Sequence, residues 1–433
     1  MRRRGSVLIT CIAGASLLVI GSRWLSAQQR GGTAPTRVAA VPTEKGGQDI
    51  FGAYEVVADW PKDLSTMPGH EGWTFGAGQS VFAESPNRVF VLQRGELPNI
   101  KPPATKKLTE TAPSLFFPIG RLPWRDATVA SPPGNGGTGQ PAEGGVQAWE
   151  RAGNKMGVDA RWEHCIMVFD GAGNLVDAWT QYDAMLQRPH FVAISPYDPE
   201  KHVWVIDDHK HVIHKYTNDG KKEVQTLGTY GQPGADDKHF NRPTFMAWGP
   251  DASIYVADGY NGTRAVKPDK DGKFVTAWGE KGAPGGNETR PGYWNNVHGI
   301  AVDHASRRVF VNDRGNHRIQ IFDENGKYLS EWSIKVRPSS LHLIQIGADS
   351  MLWAFDRNTQ KMLKYDLEGH LQYAWGAVGD FPGMLWGVHG MSVDQEGNLY
   401  TASVDSGLFQ KFVPRPGANP AYLMSKGIYS AWQ

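Results

Sequence analysis

The chain has 433 residues, enough for a sizeable core, and its 45 Lys and Arg against 44 Asp and Glu leave a formal net charge of +1. So even a balance creates no long-range field for nucleic acid or an anionic membrane surface, and neither is expected as a partner. The 51 Gly and 16 Trp suit many short strands joined by tight turns, and long amphipathic helical patterns are hard to find; the composition is that of an all-β protein.

At the start of the chain, Arg2, Arg3 and Arg4 precede an apolar run over residues 7–20, which reads as an export signal over residues 1–27, cleaved after Ala27. The run falls short of the about 20 residues that a spanning helix needs. No membrane span is therefore expected once the signal is removed, and the expected location is the periplasm or the medium. Residues 28–50 are polar and Gly-rich, as in a flexible lead-in to a folded body over 51–433. Cys11 lies in the signal and Cys165 is the one cysteine left, so no internal disulfide is expected.

One four-strand template then recurs. It begins at Ser80 ("SVFAESPNRVFVLQRG"), is interrupted by a Pro- and Gly-rich insertion over residues 98–160, and resumes at His164 ("HCIMVFDGAGNLVDAW"). Further copies start at His190, Thr244, His298, Ser340 and His389, and the intervals 190–244 and 244–298 both span 54 residues. Each copy holds short β-patterned runs, with an Asp-Gly or Asn-Gly type of turn before the last. Six such units predict a six-bladed β-propeller with a loop-rich insertion in the first blade, in which each sheet packs on its neighbours and the ring leaves no long free edge. The run "YEVVADW" at 54–60 is expected to close the ring by joining the last blade.

Aligned on the first strand, the units read Ser80, His190, Thr244, His298, Ser340 and His389. Alternate blades of a six-fold ring stand about 120° apart around the channel, so the three imidazoles would converge on one axial point. Three neutral imidazoles with an open fourth position are what a zinc site uses, and the metal expected is zinc. Any one of these histidines alone would pass for a satisfied strand-end residue; three in register do not. His211, His214, His239, His304 and His317 share no register and read as surface or turn residues.

A second register closes the next strand, with Arg94, Arg314 and Arg357 in three units and Tyr260 in another. Arginines at a channel mouth suit a carboxylate, which a guanidinium grips bidentately. A phenol beside a divalent cation is placed to serve as a base. For Arg357 the competing reading, an ion pair between blades, is the stronger. Asp207, Asp258, Asp313 and Asp356 recur as a set and read as structural turn residues.

The stretches "DGYNGTR" and "NDRGNHRIQIFDENGKYL" resemble NHL repeats. The ordered set "LQRG", "RPHFVAI", "DGYNGTR", "NVHGIAV", "NDRGNHRIQ" and "GVHGMSV" resembles the peptidyl-α-hydroxyglycine α-amidating lyases over roughly residues 73–415. The resemblance implies a six-bladed NHL propeller with zinc on His190, His298 and His389, and with Tyr260, Arg94 and Arg314 as catalytic residues. Such an enzyme splits a peptide ending in α-hydroxyglycine into a peptide amide and glyoxylate, without redox change. A small-molecule or peptide substrate and a monomeric protein are the matching expectations. Three departures stand out. A cysteine pair that brackets the family's active-site tyrosine is replaced by Asn241 and Asn261, so no orphan thiol results and a freer Tyr260 loop is expected. The acid that follows the third histidine and serves a structural calcium is Gly390, which leaves calcium without that ligand. The copper monooxygenase domain of bifunctional relatives is missing from the sequence. The other functions weighed are a binding platform with a structural metal and, third, a lactonase-like hydrolase, which would present Asp, Glu and Asn on the axis rather than imidazoles.

Overall fold

The computed structural model describes residues 49–99, 161–283, 288–334, 339–429 and 432. The export signal, most of the lead-in and all but the first two residues of the insertion at 98–160 lie outside the described residues. Six four-stranded antiparallel sheets make up the body. The first blade combines Trp73–Ser85 and Arg88–Pro98 with Ile166–Phe169 and Leu175–Ala178, so the two halves separated by the insertion do form one sheet. Blades two to five begin at Pro189–Ile194, Pro243–Trp248, Val297–Asp303 and Leu341–Ile346. Blade six is Val388–Val393, Leu399–Ser403 and Phe409–Pro414, completed by Tyr54–Val57 from near the other end of the chain. Innermost strands touch in sequence around the circle, the sixth against the first, so the ring is closed.

The abundant Gly and Trp have a joint explanation. In four blades a Trp at or next to the end of the fourth strand lies under the tight turn of the next blade, Trp179 against Gly220 and Trp278 against Gly326 among them, while Leu227 takes that place in blade two. Both glycines have positive φ and no room for a Cβ against the indole, so only glycine serves there. The Asp set proves structural. Asp207, Asp258, Asp313 and Asp356 are buried at the ends of second strands and accept main-chain N–H groups where the chain enters the first strand, at Arg188, Asn241, Asn295 and Ser340. Each carboxylate satisfies a backbone donor that would otherwise be buried without a partner. Asp49 is also buried and accepts from the Gly52 N–H and the Tyr373 hydroxyl. Cys165 is free and buried. No helix among the described residues is long and apolar enough to cross a membrane.

Candidate metal centre

Every blade carries the same irregularity. Its first and second strands slip register by one residue near the channel, a β-bulge in all six sheets. A bulge re-aims the extra residue out of the ordinary inward–outward alternation, and here the extra residue is His190 in blade two and His389 in blade six. The same register corrects the alignment made on sequence alone. The equivalent residue in blade one is Gln79, not Ser80, and in blade five it is His342, not Ser340. The axis therefore carries four imidazoles rather than three alternating with hydroxyls.

His190, His298 and His389 are buried and offer one ring nitrogen each within 4.8 Å of one another. Each Nδ1 contacts a main-chain carbonyl on the next blade, at 2.8 Å to Thr244, 2.5 Å to His342 and 2.7 Å to Gln79. A carbonyl only accepts, so each Nδ1 carries the proton and each Nε2 presents a lone pair. Burial, neighbouring imidazoles and the nearby Arg94 and Arg188 hold His190 well below its ordinary range. Burial likewise brings His389 down to about 3, with Arg94 and Arg314 adding to the effect. The rings are neutral at neutral pH, the form that binds a metal. His342 stacks on His298 at 5.1 Å with its Nδ1 buried and unpartnered, and Phe245 packs against all three ligand rings.

The donor set fits a divalent ion. The Tyr260 hydroxyl lies 3.1 Å from His190 Nε2 and 3.0 Å from His298 Nε2. It has one proton for two lone pairs, so it cannot satisfy both nitrogens, whereas a cation shared by the imidazoles can.

Tyr260 is embedded in guanidinium groups. Arg242, Arg188 and Arg314 lie 4.7, 5.1 and 5.6 Å from its ring centroid. Arg94 is buried, donates to Gln79 Oε1 at 2.7 Å and leaves its Nε without a partner; burial first and then the charge of Arg188 bring its pKa down to about 9. One buried carboxylate, Asp208, faces this group, at 3.6 Å from Arg188 and 3.5 Å from Arg242. Burial works to raise its pKa, but Arg188 and Arg242 hold it below the ordinary value. The mouth of the axis is thus positive, with Arg94, Arg188, Arg242 and Asp208 all buried.

The sequence-predicted residues Arg94, Tyr260 and Arg314 are brought to this one place. Arg357 instead pairs with Asp405 at 2.6 Å, the contact between blades expected for it. His214, expected at the surface, is buried and bonded to Glu223 at 2.6 Å. Arg188, Asp208, Arg242 and His342 were not singled out from sequence. A signal for two of them was there: "RPH" and "RPT" place Arg-Pro directly before the bulge in consecutive blades. The Tyr260 loop, without a cysteine pair, is held by main chain. Gly259 and Tyr260 donate to the Arg242 carbonyl, and Asn261 and Gly262 to that of Asn241. Gly390 has blade-one backbone 2.6 Å from where a Cβ would stand, so this packing leaves no room for an acid after His389.

An NHL repeat model matches residues 295–322. Among curated relatives, peptidylglycine alpha-amidating monooxygenase of Rattus norvegicus is 36% identical over 141 residues, 32% of this chain and 14% of the relative. A probable peptidyl-alpha-hydroxyglycine alpha-amidating lyase of Caenorhabditis elegans is 32% identical over 32% of this chain and 37% of its own length. NHL repeat-containing protein 3 of Mus musculus is 27% identical over 59% of this chain and 75% of its own length. The chain spans about a seventh of the length of the rat relative that it matches. It is a six-bladed β-propeller that matches the NHL repeat at residues 295–322 and resembles the peptidyl-α-hydroxyglycine α-amidating lyases.

Proposed function

We propose that the protein is an exported, monomeric, zinc-dependent carbon–nitrogen lyase that cleaves a peptidyl-α-hydroxyglycine-like substrate to an amide and glyoxylate. One observation carries the reading: the Tyr260 hydroxyl stands 3.0–3.1 Å from two of three converging imidazole nitrogens, inside a ring of guanidinium groups. A scaffold has no use for a base and cations around a metal. A cleft of about 510 Å³ beside Tyr260, bordered by Asn261, Trp294 and Asn295, gives a peptide-sized approach.

His190, His298 and His389 would hold the ion. When bound, it supplies Lewis acidity that eases removal of a hydroxyl proton. Arg94 and Arg314 suit the substrate carboxylate, with Arg188 and Arg242 adding to the positive surroundings of Tyr260. Tyr260, as the general base, takes the proton of the substrate hydroxyl and returns one to the departing nitrogen. The carbon–nitrogen bond breaks with its electron pair on nitrogen. The hydroxyl carbon becomes the aldehyde of glyoxylate, and no electron acceptor is needed.

The test is glyoxylate release from a synthetic α-hydroxyglycine peptide by zinc-loaded protein, with His298→Ala as the metal-depleted control. Release that depends on His298 supports the lyase. A fully loaded protein that releases none, yet retains a partner in pull-downs, returns the reading to a binding platform.

A further inference from the structure

A second cluster of metal-binding side chains lies in the first blade and shares no residue with the axial centre. His70, just before the first strand, Glu96, near the end of the second, and His164, just before the third, each offer one donor atom within 4.8 Å of the others. We propose that these three residues form a second divalent transition-metal site, of the zinc type.

The hydrogen bonds of the cluster do not close without a cation. His70 Nδ1 lies 2.7 Å from Glu96 Oε1 and 3.4 Å from Arg161 Nη2. A carboxylate only accepts and a guanidinium only donates, so one ring nitrogen cannot satisfy both. His164 Nδ1 is 3.0 Å from the same Oε1 but out of line for a hydrogen bond, and it is buried with no other partner. Two imidazole nitrogens thus crowd one carboxylate oxygen; His70 has it as a hydrogen-bond partner, and His164 Nδ1 is left with none. A cation among them takes a lone pair from each.

The backbone is shaped for this. His164 has φ +59°, a conformation L side chains rarely adopt. Asp183 holds it there by accepting the N–H groups of His164 at 2.7 Å and Cys165 at 2.9 Å. Arg161 Nε donates to Glu96 Oε2 at 2.5 Å, which turns Oε1 alone toward the imidazoles, as an outer partner of a one-oxygen ligand does. Ligand atoms around tetrahedral zinc stand about 3.3 Å apart, given bonds of roughly 2.0–2.1 Å. The observed 2.7 and 3.0 Å would open by a few tenths of an ångström on binding. Two imidazoles and a carboxylate suit zinc and neighbouring divalent transition ions, with a position left for water. Such an ion would bind the loop before blade one to the strands on both sides of the insertion.

The experiment counts metal in full-length protein stripped with chelator, reloaded with zinc and freed of excess. Two equivalents are expected in the wild type. His164→Asn and Glu96→Gln should each retain the single equivalent that His298→Ala removes, and His298→Ala should retain the one that they remove. The count is made on wild type first, so a variant that fails to fold does not decide it. A wild type that saturates at one equivalent lost in His298→Ala overturns the proposal. So does a folded Glu96→Gln that still holds two. A single equivalent that survives His298→Ala but not Glu96→Gln supports this site and overturns the axial one instead.

Discussion

His190 donates its Nδ1–H to the Thr244 carbonyl on the next blade, 2.8 Å away, and Thr244 passes its own hydroxyl to the His298 carbonyl, 2.6 Å further round. Two candidate ligands are thus joined through a residue that would touch no ion. Thr244→Val keeps the carbonyl and the volume but removes the hydroxyl link. Outer partners of this kind typically contribute 10–100-fold to metal affinity, and about tenfold weaker zinc binding is expected. A competition titration against a chromogenic chelator measures it; unchanged affinity would show the link to be idle.

Tyr260→Phe deletes the one hydroxyl shared by His190 and His298 and keeps the ring that the guanidiniums surround. Loss of a positioned acid–base group costs roughly 10²–10⁴-fold. Glyoxylate release should fall by about that factor while zinc content stays at the wild-type value. Activity within twofold of wild type would remove Tyr260 from the chemistry.

Metal-stripped protein should lose stability on acidification. His389 has an ordinary pKa of 6.5 and is held at about 3 in the fold. The unfolded chain therefore takes up a proton below pH 6.5 that the fold refuses until about pH 3. Stability is fully present above 6.5 and declines through that window. Between pH 7.5 and 5 this one group lowers it by on the order of 2 kcal/mol, and His190 and His298 act in the same direction. Urea midpoints at the two pH values test it; a flat profile would contradict the buried neutral imidazoles.

Asp208→Asn leaves Arg188 and Arg242 buried without their shared counter-charge. Breaking one side of a buried ion pair costs about 3–5 kcal/mol. A urea denaturation curve should show a loss of that size with the zinc content kept. A change below about 1 kcal/mol would mean that water already screens the cluster.

The repeat and its three axial histidines were legible because strand periodicity and turn residues are local. The register was legible only to within two residues. Where the bulge falls depends on pairing with the neighbouring strand, so Ser80 and Ser340 stood in for Gln79 and His342. Asp208 was hidden beside Asp207, which has the recurrent structural role; its own role appears only when Arg188 and Arg242 from two blades close on it. The His70, Glu96 and His164 cluster was equally invisible, because its members are scattered across the insertion and meet through blade-one pairing.

Blade six, which carries His389, is the sheet whose outer edge is the early strand Tyr54–Val57. During synthesis that strand must wait for nearly the whole polypeptide before its partner emerges. A three-cornered grip that includes blade six is incomplete until beginning and end have met, so occupancy of the pore would register whether the circle has shut.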